Sequence, residues 1–148
     1  MPPALLLLVG GYSQPNPTAV MQAGAAAKRP RAILAITRHP IMWGIGLWAL
    51  AHLPANGDAA SLILFGSIAV LALLGTLALD TRKRRDWGER WPAFAAVTSN
   101  LPFAALAAGR TRLELADLGW WRIALALALY AAFLVLHPLV IGVPAVPV

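Results

Sequence analysis

Residues 59–79 read AASLILFGSIAVLALLGTLAL, twenty-one residues without a single charge. A helix of that length reaches about 31 Å, enough to cross a hydrocarbon core of roughly 30 Å. The flanks fit a helix with defined ends. Asn56-Gly57-Asp58 reads as a turn, with Asp58 placed to cap the first amides of a helix starting at Ala59. On the far side Asp80 is followed by Arg82-Lys83-Arg84-Arg85. A second uncharged run of the same length, residues 123–143, contains His137-Pro138 and is preceded by Trp120-Trp121, a pair suited to the membrane interface. The run at 41–55 gives only about 22 Å of helix, so to span it must borrow residues 33–36, which draws Arg38 and His39 to the lipid boundary. The run at 4–12 is too short to cross and lacks the basic start and cleavage site of a signal peptide; it reads as the tail of a helix that begins earlier. The expected fold is an all-α integral membrane helical bundle in one domain, 1–148, with three full transmembrane helices (33–55, 59–79, 123–143) and a partial first one (4–12).

Composition agrees. Of the 148 residues 59% are hydrophobic and 12% charged, against about 45–50% and about 25% in soluble domains. The mean hydropathy of +0.70 excludes a disordered chain. Twelve basic residues face six acidic ones, with a pI near 11.2. In a soluble chain that balance would suggest nucleic acid; here the basic residues follow topology instead. Lys28, Arg29, Arg31 and Arg38 lie between the first two apolar runs, and the other eight lie between residues 82 and 122. The loop at 54–58 and the tail after Val143 have none. The positive-inside rule therefore places the basic loops in the cytoplasm and turns the C-terminus outward, with the lipid bilayer as partner and no nucleic acid. Trp87, Trp91 and Phe94 recur at helical spacing beside basic residues, which predicts a cytoplasmic amphipathic segment resting on anionic lipid, interrupted at Pro92. The absence of cysteine excludes disulfides, thiolate metal sites and a cysteine nucleophile.

Polar groups at membrane depth are costly and point to function by default. Arg38-His39 at the boundary reads either as a snorkelling arginine beside an interfacial histidine stopped by Pro40, or as a clamp for an anion or a cofactor carboxylate. His39 and His52 lie about 20 Å apart on a straight helix and cannot share a metal. His52 follows Arg38 by fourteen residues and His137 follows Arg122 by fifteen, in spans that run the same way. The two imidazoles then sit at similar depth, as an axially bis-ligated haem iron requires; the alternative is that each hydrogen-bonds a neighbouring helix. Asp80 is expected to be offset by Arg84 one turn on or by another inner arginine, and Thr98-Ser99-Asn100 to form a cap or turn. No serine triad, phosphate loop, zinc motif or Rossmann glycine pattern is present, and no catalytic residue can be named.

The stretch Ile36-Thr37-Arg38-His39-Pro40, then Trp43-Gly44, Leu47-Trp48-Ala49, Ala51-His52-Leu53 and Asn56-Gly57-Asp58, resembles the NnrU family of bacterial integral membrane proteins. So do Asn16-Pro17-Thr18, Leu64-Phe65-Gly66, Asp80-Thr81-Arg82, Trp91, Thr98-Ser99, Pro102-Phe103, Gly109-Arg110 and the ending His137-Pro138 with Gly142-Val143. The resemblance implies a link to denitrification and nitric oxide metabolism. The family is similar to the 15-cis-zeta-carotene isomerases, haem b membrane enzymes in which the histidine matching His52 is implicated as a ligand and its partner lies on an earlier helix. It therefore implies haem b held by His52, with redox or isomerase-like chemistry, the second ligand coming from His137 or a second subunit. Arginine-histidine-proline followed by a basic, aromatic stretch also resembles S-adenosylmethionine-dependent membrane methyltransferases, although only Asp80 stands for their acidic residues. A third possibility is a non-enzymatic accessory protein that assembles or regulates a denitrification enzyme.

Overall fold

A computed structural model describes residues 1–19 and 31–145. Lys28 and Arg29, counted above among the basic loop residues, and the last three residues lie outside them. The described chain is all helical: α1 (Pro2–Ser13), α2 (Ile33–Ile36), α3 (Pro40–His52), α4 (Ala59–Trp87), α5 (Arg90–Ala96), α6 (Ala104–Ala107), α7 (Leu115–Leu118) and α8 (Trp120–Val140).

The expected span at 33–55 is not one helix. Residues 37–39 leave the helical path: Thr37 is extended, with φ −153° and ψ 146°, and His39 sits at φ −120° and ψ 57°. The cause is Pro40, whose ring bars the helical conformation at the residue before it while itself starting α3 comfortably. What remains is a four-residue turn and a 13-residue helix, about 20 Å long. Among the described residues two helices, rather than three, are long and apolar enough to cross a membrane: α4 and α8. The partial first run is α1, which ends at Gln14, in extended backbone before Pro15.

Both long helices start and stop for local reasons. Asp58 caps α4 as expected, its Oδ1 accepting from the Ser61 amide at 2.9 Å. That hydrogen bond holds the exposed Asp58 carboxyl below the usual carboxylate range. The helix runs eight residues beyond the apolar stretch, supported by an exposed Arg82–Asp86 pair one turn apart. It stops at Gly88, whose φ of +51° a side chain would resist.

α4 packs on α3, α3 on α1 and α1 on α8, so two short helices lie between the two long ones. Small residues allow the α1–α3 contact. A Cβ on Gly44 would stand 2.9 Å from the Ala4 carbonyl oxygen and 2.7 Å from Leu8. The buried core gathers at one end, around Leu7, Ile33, Leu34, Ile36 and Leu118, with Trp43, Leu47 and Leu113 packed against it. The long helices stay mostly uncovered: only 17% of the most apolar stretch of α4 and 6% of that of α8 is buried. Ile63, Leu71 and Leu139 are each at least 70% exposed. A core helix of a soluble domain would be covered, and an apolar surface this extended marks association with a membrane.

The segment after α4 does not present its aromatics to lipid. Trp91 and Phe94 are buried, and with Trp87 they form a cluster with ring centroids 5.4–6.1 Å apart. Periodicity had identified an apolar face correctly, but that face closes onto the protein.

An arginine, histidine and aspartate cluster as the candidate functional site

The irregular backbone at 37–39 is held from several sides. Thr37 Oγ1 donates to the Asn100 carbonyl at 2.6 Å, the Arg38 amide donates to the Ser99 carbonyl at 2.9 Å, and the Phe103 amide donates to the Ile36 carbonyl at 2.8 Å. Thr18 Oγ1 donates to the Arg38 carbonyl at 2.5 Å. Polar groups freed from the helix are thus satisfied by the 98–103 loop and by Thr18. Thr98-Ser99-Asn100 forms the turn expected of it: Thr98 Oγ1 donates to the Phe94 carbonyl, and Ser99 Oγ accepts from the Ala105 amide. It is also the dock for residues 37–38.

This backbone delivers two side chains to one carboxylate. Arg38 grips Asp80 with two nitrogens, Nε to Oδ1 at 2.9 Å and Nη2 to Oδ2 at 2.7 Å. His39 Nε2 meets Asp80 Oδ1 at 2.6 Å, and Asn100 Nδ2 donates to Oδ2 at 3.4 Å. Trp43 Nε1 fixes Asn100 through its Oδ1 at 3.3 Å, and the Arg38 guanidinium lies 5.2 Å from the Trp91 ring centre. Asp80 is therefore offset by an inner arginine, as expected, but by Arg38 from 42 residues away together with His39, and not by Arg84. The carboxylate that Arg38 clamps here is the chain's own.

His39 is the unusual member. Its side chain has no solvent exposure, and among the described residues its Nδ1 has no hydrogen-bond partner. Buried polar atoms without a partner are rare and call for an explanation. A carboxylate holding one ring nitrogen fixes the tautomer and turns the other nitrogen toward whatever it serves, the arrangement used for ligating and proton-handling histidines.

The other two histidines lie elsewhere. His52 ends α3, where its Nδ1 donates to the Trp48 carbonyl at 2.8 Å and its ring stacks on Phe65 at 4.7 Å and lies 4.6 Å from Trp48. His137 Nδ1 donates to the Val143 carbonyl at 2.6 Å. Among the described residues neither Nε2 has a hydrogen bond. Their helices do not pack along one another, since α8 lies on α1 while α3 lies on α1 and α4. Arg38 and His39 come together with Asp80, and among the described residues no hydrogen bond or ring contact joins His52 to His137. Among the described residues no group of three or more histidine, aspartate or glutamate side chains could hold a metal ion. The sequence had assigned Asp80 only a structural role. The available signal was that it is the acidic residue ending an apolar span, with arginines on the same side.

Comparison with known proteins places the chain in a family. Residues 1–145 match the family model described as NnrU protein. The 15-cis-zeta-carotene isomerase of Zea mays chloroplasts is 35% identical over 81 residues, 55% of this chain and 22% of the isomerase. The Arabidopsis thaliana protein of that name is 35% identical over 78 residues, 53% of this chain and 21% of its own length. The matched segment spans about a fifth of the length of these curated relatives. No solved structure matches. With its whole described length inside the match, this chain belongs to the NnrU family.

Proposed function

We propose that this protein is a membrane-embedded isomerase-like protein acting on an apolar, lipid-dissolved polyene, with the Arg38–His39–Asp80 cluster as the polar end of its working site. The observation that carries this reading is His39 Nδ1, buried and unpartnered, on a ring whose other nitrogen is held by Asp80. Two supports accompany it. The curated relatives are named as isomerases of a carotene, and the exposed apolar faces of α4 and α8 suit a bilayer in which such a substrate dissolves. In this reading the chain crosses a bacterial inner membrane more than once. The end carrying Arg38, Arg82 and Arg122 faces the cytoplasm, and the turn at Asn56 faces out. Asp80 orients the imidazole, Arg38 pairs with Asp80 through two nitrogens, and His39 Nδ1 holds or accepts a proton.

A haem-assisted version has one specific support. The Trp48 carbonyl orients His52 through Nδ1 and leaves Nε2 for an iron, as a ligating histidine requires. For His137 there is no matching support, since its helix packs on α1 whereas α3 packs on α1 and α4. No step is therefore derived through haem. Nothing in the cluster favours the methyltransferase alternative, since Asp80 is already engaged by Arg38, His39 and Asn100. A denitrification accessory protein, the family-based alternative, would leave a carotene unchanged.

The test is conversion of 15-cis-zeta-carotene by the full chain in membranes of carotene-accumulating bacteria, followed by chromatography. Conversion by the parent and its loss in His39→Ala and Asp80→Asn would support the reading. No conversion by a parent protein shown to be folded and membrane-inserted would overturn it. A Soret band lost in His52→Ala would favour the haem version.

A further inference from the structure

The seam between α1 and α8 contains a furrow of about 440 Å³ that no side chain among the described residues fills. Its walls are almost wholly hydrocarbon: Leu5, Val9 and Tyr12 from α1, and Leu125, Leu129 and Phe133 from α8. The two helices run in opposite directions, because Arg122 at the start of α8 meets Ser13 at the end of α1. From Ser13 to Leu5 the furrow extends about 12 Å.

One end is cationic. Arg122 donates through Nε to Ser13 Oγ at 2.8 Å, through Nη2 to the Ser13 carbonyl at 3.3 Å and through Nη1 to the Leu118 carbonyl at 3.0 Å. Its guanidinium lies 4.4 Å from the Trp121 ring centre. A guanidinium has five N–H donors, so donors remain for an incoming anion. Trp120 and Trp121 flank the same end, 85% and 52% exposed, as indoles at a membrane interface would be.

We propose that the furrow holds one acyl chain of an anionic glycerophospholipid whose phosphate rests on Arg122. The proposal rests on the membrane reading given above, though not on isomerase activity. In a bilayer an open apolar furrow forfeits dispersion contacts unless hydrocarbon fills it, and an acyl chain is the hydrocarbon at hand. The cation at its interfacial end selects an anionic headgroup, which the guanidinium can meet with paired hydrogen bonds. The hydrogen bonds to Ser13 fix that cation at the mouth of the furrow.

The experiment uses the full chain in nanodiscs of equal parts phosphatidylglycerol and phosphatidylcholine, with retained lipids counted by native mass spectrometry. Phosphatidylglycerol should be retained over phosphatidylcholine by about fivefold, the effect of roughly one basic residue at such a surface. Arg122→Gln should remove that preference. Leu129→Trp, which fills the furrow, should release lipid of both kinds, and the milder Leu129→Phe should do so in part, with helical content checked in each variant. Equal retention of the two lipids by the parent would overturn the proposal, as would unchanged selectivity in Arg122→Gln or unchanged lipid number in both position-129 variants. Cross-linking of cysteines at position 129 between two copies would also overturn it, by showing that a second chain covers the furrow. Failure to isomerise a carotene leaves these outcomes standing. Failure to float with liposomes after an alkaline wash removes the membrane reading itself.

Discussion

The two ends of α3 are built on opposite plans. At its start, Arg38 and His39 converge on an aspartate from α4, and the loop at 98–100 closes over them, all across 40 to 60 residues of chain. At its finish, His52 is held by its own helix through Trp48, Asn56 donates back to the His52 carbonyl, and ring contacts of His52 and Trp48 with Phe65 reach α4. One end is a charged network whose members depend on each other, and the other is a local aromatic stack. Charges buried together must all be satisfied together, so removing one member exposes the cost of the rest. A ring held by one hydrogen bond and by stacking has no such coupling.

The largest expected effect is therefore at Asp80. Asp80→Ala strands Arg38 and His39 and should destabilise the protein by about 3–5 kcal/mol in thermal unfolding followed by circular dichroism in a neutral detergent. Adding Arg38→Met should recover part of that loss, and a double variant no better than the single one would break the picture of coupled charges. Next comes the body of α3 between its two ends. Gly44→Val forces a side chain against Leu8 and the Ala4 carbonyl and should cost about 1–3 kcal/mol by the same measurement. A stability equal to the parent's would mean that α1 and α3 are less closely seated than described. At the local end, His52→Phe keeps the stack and loses one hydrogen bond, so about 0.5–1.5 kcal/mol is expected; a loss as large as that of Asp80→Ala would erase the contrast between the ends. The smallest effect is at the Asp58 cap. Its folded pKa lies below the usual carboxylate value, so its contribution is present above that value and fades as pH falls through the lowered one. Asp58→Ala should lower stability slightly at neutral pH and converge on the parent at acid pH, which flattens the acid limb of stability against pH.

What the sequence disclosed follows the range of the interactions. The uncharged stretch at 59–79 and the Asp58 cap are local, and both are found where composition and turn chemistry place them. The break before Pro40 is also local, yet the length of apolar sequence on both sides outweighed it in the expectation of a span from 33 to 55. The Asp80 network was hidden because its partners are 41 and 42 residues distant, and hydropathy says nothing about which charges meet. Helical spacing likewise showed that Trp87, Trp91 and Phe94 share a face, but not that the face turns toward Arg38. The pairing of His52 with His137 rested on depth alone, and depth leaves open which helices are neighbours.

The central claim is that the charged end of α3, rather than its aromatic end, does the chemistry. The most direct measurement compares His39→Ala with His52→Ala for conversion of 15-cis-zeta-carotene in matched membranes, each variant with parent-like helical content. Loss of a positioned proton-handling group typically lowers rate by about 10²–10⁴-fold, and that loss is predicted for His39→Ala, with His52→Ala staying within a few-fold of the parent. The reverse ranking, with His52→Ala inactive and His39→Ala active, would contradict the account and move the working site to the other end of the helix.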